Sequence, residues 1–147
     1  MRADLLHRGW CELTFLNIAR DLKRGPFGGN LKKEIFVPSG YKVYEQQHAI
    51  NHDYSLGTYY IDEDKYEELN GFAVGNGDYI ISCSGTIGKL YRLPKEAPNG
   101  VINQALLKIT LEDRIPYHSY FSHLFQSEFF QRQILSDARG TGMQNLA

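Results

Sequence analysis

The feature of this sequence that most restricts its fold is a change of hydrophobic period at Pro116. Before it, residues 100–111 (GVINQALLKITL) set Leu107, Ile109 and Leu111 against Lys108 and Thr110, the two-residue alternation of a half-buried strand. After it, Tyr117, Tyr120, Phe121, Leu124 and Phe125 fall at i, i+3, i+4, i+7 and i+8, one apolar helix stripe. Ser127 is placed to cap a second helix carrying Phe130, Ile134 and Leu135. Strands first and helices last is the order of an α+β protein.

The rest of the chain fits that order. Residues 12–24 (ELTFLNIARDLKR) read as a short strand, a turn around 16–19 and a second strand, followed by the breaker cluster GPFGGN at 25–30. Residues 41–47 (YKVYEQQ) read as a strand, and 48–58 as polar and irregular. Asp62 suits an N-cap, with Glu63 and Asp64 where the helix dipole favours anions, for a helix that runs to about Leu69 and stops at Gly71. Strands are expected again at 78–82 (DYIIS) and 89–93 (KLYRL). A chain of 147 residues forms one domain able to bury roughly 68–70% of its unfolded surface. The expectation is a single α+β domain, with a mixed, mostly antiparallel β-sheet region and C-terminal helices packed on it. Residues 1–11 form an N-terminal leader, 12–139 the domain and 140–147 a terminal loop.

Net charge is −1, so nucleic-acid binding needs a local basic surface rather than a basic chain. Cys11 and Cys83 fit no zinc spacing, and a reduced cytoplasmic protein is the simplest reading. The N-terminus MRADLLHRGW has no apolar signal core, and no run approaches the ~18 apolar residues of a membrane span. No membrane association is expected.

Several chemical motifs fail on spacing. A phosphate-gripping P-loop needs four residues between its glycines, whereas only Thr86 and Ile87 separate Gly85 from Gly88. Cys83 stands where the first glycine belongs, and Leu90 replaces the Mg²⁺-binding hydroxyl. His48 and His52 form H-x-x-x-H, but Ala49 follows the first histidine, and Asn51, Asp53 and Gly57 favour a loop; surface or binding-loop histidines are expected. His118 and His123 lie on a helix with no carboxylate or cysteine in register. Cys83 follows an apolar strand and precedes a strand–turn–strand, so an inert buried thiol outweighs a nucleophile.

Three polar segments remain. Residues 20–33 carry Arg20, Lys23, Arg24, Asn30, Lys32 and Lys33 among glycines that permit close backbone approach, and the cations suit phosphates. Residues 44–51 gather Gln46, Gln47, His48 and Asn51, side chains of the kind that reads base edges in a major groove. Asn103 and Gln104 are two amides in an otherwise apolar strand. Solvated loops, an edge strand or turn hydrogen bonds explain each segment singly; their recurrence at strand ends favours a shared recognition surface.

The order of GPFGGNLKKE (25–34), YKVYEQQHAI (41–50), DYIISCSGTIGK (78–89) and GVINQALLKI (100–109), then FQSEFFQ (125–131) and GTGMQNL (140–146), resembles a target recognition domain. Such domains belong to the specificity subunit of type I restriction–modification enzymes. The resemblance spans nearly the whole chain from Glu12, and departs from the family at Gly29, where a small hydroxyl residue is common. It implies sequence-specific binding of double-stranded DNA, each domain reading one half of a split target. It also implies that 140–147 leads to a conserved spacer helix. The chain itself would be non-catalytic and without cofactor. S-adenosylmethionine, ATP and Mg²⁺ would belong to the partner modification and restriction subunits.

On this reading Arg24, Lys32 and Lys33 meet phosphates, and Gln46, Gln47, His48 and Asn51 lie nearest base edges. Asn30, Ser84, Thr86, Lys89, Asn103, Gln104 and, in the loop 139–144, Arg139, Thr141 and Gln144 are further contacts. The segment SGTIG is then a tight connection between two strands, whose Ser84, Thr86 and Lys89 offer donors to DNA, although a purely structural hairpin explains it too. Two rivals stand beside this reading: a small cysteine enzyme using Cys83 with His48, and a protein-interaction module using exposed tyrosines.

Overall fold

The computed structural model describes Gly9, residues 12–114 and residues 117–138. Apart from Gly9, the expected leader 1–11 and the terminal loop 140–147 lie outside the described residues. The element order is α1 (Phe15–Ile18), β1 (Ala19–Arg24), β2 (Tyr41–Tyr44), α2 (Gln46–Asn51), β3 (Tyr60–Ile61), α3 (Glu63–Glu68), β4 (Ala73–Val74), β5 (Tyr79–Ser82), β6 (Leu90–Arg92), β7 (Gly100–Ile102), β8 (Leu106–Leu111), α4 (His118–Gln126) and α5 (Glu128–Ala138). Short 3-10 turns at Gly28–Asn30 and Lys33–Ile35 shape the connection from β1 to β2.

The strands form two four-stranded sheets. The first has order β1-β8-β5-β6 and is antiparallel throughout. The second has order β3-β2-β7-β4, with β2 and β7 parallel and the outer pairs antiparallel. This is the mixed, mostly antiparallel α+β arrangement that the period change predicts, but residues 100–111 do not form one strand. They break at residues 103–105, so β7 lies in the second sheet and β8 in the first. A Cβ at Gly100 would stand 1.9 Å from the Lys42 carbonyl oxygen, so only glycine permits the approach of β7 to β2.

Strand alternation then sorts the side chains into layers. In the first sheet, Tyr79, Ile81, Ile109 and Leu111 face the C-terminal helices and pack against Phe121, Phe125, Ile134 and Ala138. From the opposite face, Ile80 and Leu106 meet Tyr44 and Ile102 of the second sheet. Val43 and Val101 point outward from the second sheet and are covered by Leu69, Ile35, Phe36 and Tyr66. The core therefore has three layers of contact, and β5 is buried along its whole length.

Two-sided burial changes the fate of one predicted solvent-facing residue. Lys108 alternates with Leu107 and Ile109 as expected, yet it is only 5% exposed because the second sheet covers it. Its Nζ pairs with Asp21 at 2.6 Å and donates to the Ala73 carbonyl at 2.9 Å, joining β8 to the second sheet. A buried ammonium is tolerable only with such partners.

Two further expectations change. Residues 12–18 do not form a strand: α1 begins where the Thr14 N–H donates to Asn17 Oδ1 (2.9 Å) and the Asn17 N–H donates to the Thr14 carbonyl (3.0 Å). This local hydrogen bonding outcompetes the strand propensity of the segment. The strand at 41–47 ends at Tyr44, and Gln46–Asn51 is helical rather than irregular. By contrast, the Asp62 cap stands as read, its side chain accepting from the Lys65 N–H at 2.8 Å. Among the described residues, no helix is long and apolar enough to cross a membrane.

The helical layer is locked by aromatic packing. Phe121 meets Phe15 and Tyr79 edge to face, at centroid distances of 6.1 and 5.0 Å. Substituting Phe121→Ala is expected to cost about 3–5 kcal/mol in urea unfolding, whereas Phe129→Ala, at a residue 70% exposed, should stay within about 0.5 kcal/mol.

At the start of α4, His118 Nδ1 lies 2.9 Å from the Tyr79 hydroxyl. Burial, and then the Arg92 guanidinium, hold its pKa below the usual histidine value. The unfolded chain therefore binds the proton more readily. The contribution of His118 to stability should be constant above the ordinary histidine pKa and decline as pH falls through it; an NMR titration of His118 should give a midpoint below 6.5.

Candidate nucleic-acid interface

The break at 103–105 gathers the loops in which the polar segments lie. Its backbone bonds reach three strand ends: Asn103 N–H donates to the Tyr44 carbonyl (3.0 Å), Cys83 N–H to Ala105 (2.8 Å) and Gly25 N–H to Leu106 (2.9 Å). Arg24 Nε donates to the Gln104 carbonyl at 2.7 Å. The turn also closes on itself, since Asn103 Oδ1 accepts from the Ala105 N–H at 3.0 Å. Asn103 is thus a turn-forming residue, and Gln104 is the exposed one of the pair.

Gly25 fits against this turn so closely that a Cβ would stand 1.8 Å from the Asn103 carbonyl oxygen. The glycine serves an approach within the chain. Gly29 differs, with open space where a side chain would stand.

The result is a cleft of about 450 Å³ lined by Arg24, Pro26, Phe27, Ser84, Gln104 and Ala105. It brings together predicted residues from segments some 20 to 80 positions apart in the chain. Gln46 joins them from α2, its Oε1 accepting the Ser84 N–H at 3.0 Å. Asn30 borders the same turn and donates through Nδ2 to the Phe27 carbonyl at 3.2 Å.

On α2, Gln47 and Asn51 are exposed. Gln47 Nε2 donates to Glu45 Oε1 (3.0 Å), and Asn51 Nδ2 donates to the Gln47 carbonyl (2.9 Å). Both bonds lie at the surface, where a ligand can replace them. Lys32 and Lys33 are exposed on the stretch that runs from the cleft to the outer face of the second sheet, where Leu31, Ile35 and Phe36 anchor it. Thr86 is exposed in the connection between β5 and β6, where Gly85 and Gly88 take positive φ values of 68° and 81°.

Two predicted positions depart from this arrangement. His48 is fully buried, so it does not present a base-reading edge. Its Nδ1 faces the Glu45 N–H at 2.8 Å and its Nε2 the Leu56 carbonyl at 2.7 Å. A ring protonated on Nε2 satisfies both partners and fastens the loop after α2. Lys89 lines a separate cleft of about 250 Å³, with His52, Gln126 and Gln131. Arg139, Thr141 and Gln144 lie outside the described residues.

The thiol of Cys83 is fully buried and pushed up to about 11 by that burial. Neither it nor His48 is presented to a substrate, which removes the geometric basis of a cysteine enzyme. Among the described residues, no three His, Cys, Asp or Glu side chains gather as a metal site.

One contributor to the cleft, Phe27, is not among the residues that the sequence singles out. Phe27 was legible in principle, since an aromatic inside a glycine–proline cluster has no periodic apolar partners. Gln46, expected near base edges, ties α2 to the Ser84 loop through a bond to a residue 38 positions away.

No protein-family model matches the chain, and no curated protein does. Solved structures do. The chain is similar to the S subunit of a type I restriction–modification system from M. genitalium, with a TM-score of 0.55, 21% identity and coverage of 97% of this chain and 33% of that one. It is also similar to a chain from a structure concerned with complex assembly and conformational transition of the type I R-M system. There the TM-score is 0.56 and identity 12%, over 89% of this chain and 33% of the other. The fold is shared, and this chain spans about a third of the length of each.

The linkage between α2 and the cleft predicts a selective change. Gln46→Ala should cost about 0.5–1.5 kcal/mol and speed hydrogen exchange at the Ser84 amide. Gln47→Ala should leave that amide as protected as before, both read by NMR.

Proposed function

We propose that this chain is a DNA target recognition domain, reading one half of a split duplex target within a type I restriction–modification specificity subunit. One observation carries the reading. The fold shared with S subunits holds Arg24, Ser84 and Gln104 around a single cleft, with Gln46 of α2 bonded to Ser84.

The chemistry suits a groove rather than a small substrate. Gln104, Gln47 and Asn51 are exposed, and their carboxamides carry a donor and an acceptor side by side, the pattern that pairs with an adenine edge. Lys32 and Lys33 supply mobile cations for phosphates, and Arg24 a planar one at the cleft wall. Ser84, Thr86 and Asn30 add short polar groups at loop tips. A net charge of −1 leaves this local set to supply the attraction.

In this role the domain performs no bond chemistry. Methyl transfer from S-adenosylmethionine and ATP-driven cleavage belong to modification and restriction subunits bound to the same specificity subunit. The domain contributes position, by deciding where on the duplex those subunits stand.

Phosphate and base contacts separate experimentally. Lys33→Ala should weaken binding to all duplexes alike and lower the slope of log K against log salt by about one. Gln104→Ala preserves the backbone carbonyl that Arg24 uses, and should cost ~1–3 kcal/mol at one base pair, relaxing specificity there. Binding to a randomised duplex library checks both, and uniform losses in both variants would defeat the assignment of reading residues.

A further inference from the structure

Phe27 has no role in the core. It is 89% exposed, more than any other large apolar side chain among the described residues. Its backbone, however, is pinned. Pro26 before it is buried, and Gly25 N–H donates to the Leu106 carbonyl at 2.9 Å. The Phe27 carbonyl accepts from both the Asn30 N–H (2.9 Å) and Asn30 Nδ2 (3.2 Å). The ring thus projects from a fixed turn at the rim of the cleft that Arg24, Ser84 and Gln104 line.

Its neighbours decide what such a ring can meet. Gly28 and Gly29 follow it, and the nearest large apolar residue downstream, Leu31, is half-buried against the second sheet. A protein-docking patch needs contiguous apolar area, and here one ring stands among glycines, the Gln104 amide and the Arg24 cation, with Lys32 and Lys33 five and six residues along the chain. A narrow turn bearing a single flat apolar side chain beside phosphate-seeking cations is shaped to enter a stack of bases.

We propose that Phe27 is a wedge that inserts at one base step bordering the bases read from the cleft. This deepens the DNA-binding reading above and rests on it. Base faces stack on an aromatic ring whatever their sequence, but opening a step does depend on sequence. Pyrimidine–purine steps unstack and kink most easily, and apolar wedges bend duplexes at such points. Phe27 would therefore add specificity at a position that no hydrogen bond reads.

The test uses the 147-residue chain at low salt, first selecting from a randomised duplex library. A 2-aminopurine is then placed at the enriched step, with duplex bending followed by end-to-end energy transfer. The wild type is expected to enrich a pyrimidine–purine step, to raise 2-aminopurine fluorescence and to shorten the end-to-end distance. Phe27→Ala should lose all three effects while retaining the other enriched bases, and Phe27→Leu, still an apolar wedge, should retain part of them. An unchanged step preference and fluorescence in Phe27→Ala overturns the wedge and leaves the DNA reading standing. So does an equal loss of binding to every duplex with an unchanged urea midpoint, since that marks a general anchor. Failure of the wild type to enrich any duplex sequence overturns the DNA reading and the wedge with it.

Discussion

The three-residue turn between β7 and β8 is the constraint on which the rest of the structure depends. Without it, residues 100–111 would be one long strand in one sheet. With it, the chain leaves the second sheet and enters the first, and the backbone groups of Asn103, Ala105 and Leu106 bond to β2, to the end of β5 and to the residue after β1. Asn103 makes the turn possible locally, its side chain accepting the Ala105 N–H in place of a strand partner. Gly25 makes it possible at long range, because no other residue fits against the Asn103 carbonyl.

Placing two sheets face to face has consequences far from the turn. β5 and β8 acquire two buried faces, so Lys108 must find internal partners and takes Asp21 and the Ala73 carbonyl. Cys83, at the end of a strand covered on both sides, becomes a packing residue whose burial raises its thiol pKa and disfavours the thiolate. His48 is drawn inside as the fastening of the loop after α2. These three residues have the chemistry of sites but are used to build the scaffold.

The same turn collects loops of polar residues at one place. Loops that follow β1 and β5, together with the end of β2 that leads into α2, are brought to the 103–105 turn by backbone bonds, leaving Gln104 and Phe27 exposed beside it. A rigid frame with short, differing side chains at its loop tips suits recognition, because residues at the tips can change while the bonds that position them stay. Such a division of labour matches the role proposed for a domain whose fold recurs in S subunits with little sequence identity.

The sequence by itself determined the local periods: alternation in 106–111, the helix stripe of 117–125, the Asp62 cap and the glycines that punctuate them. It also marked the polar segments, because side-chain chemistry is visible wherever it lies. It did not determine the break at 103–105, the helix at 46–51 or the burial of His48 and Lys108. Those depend on partners tens of residues away, and periodicity carries no information about which strand lies across a sheet. Only the tertiary structure decided that Gln46 braces a loop while Gln104 faces solvent, since identical amides differ only in what the fold places beside them.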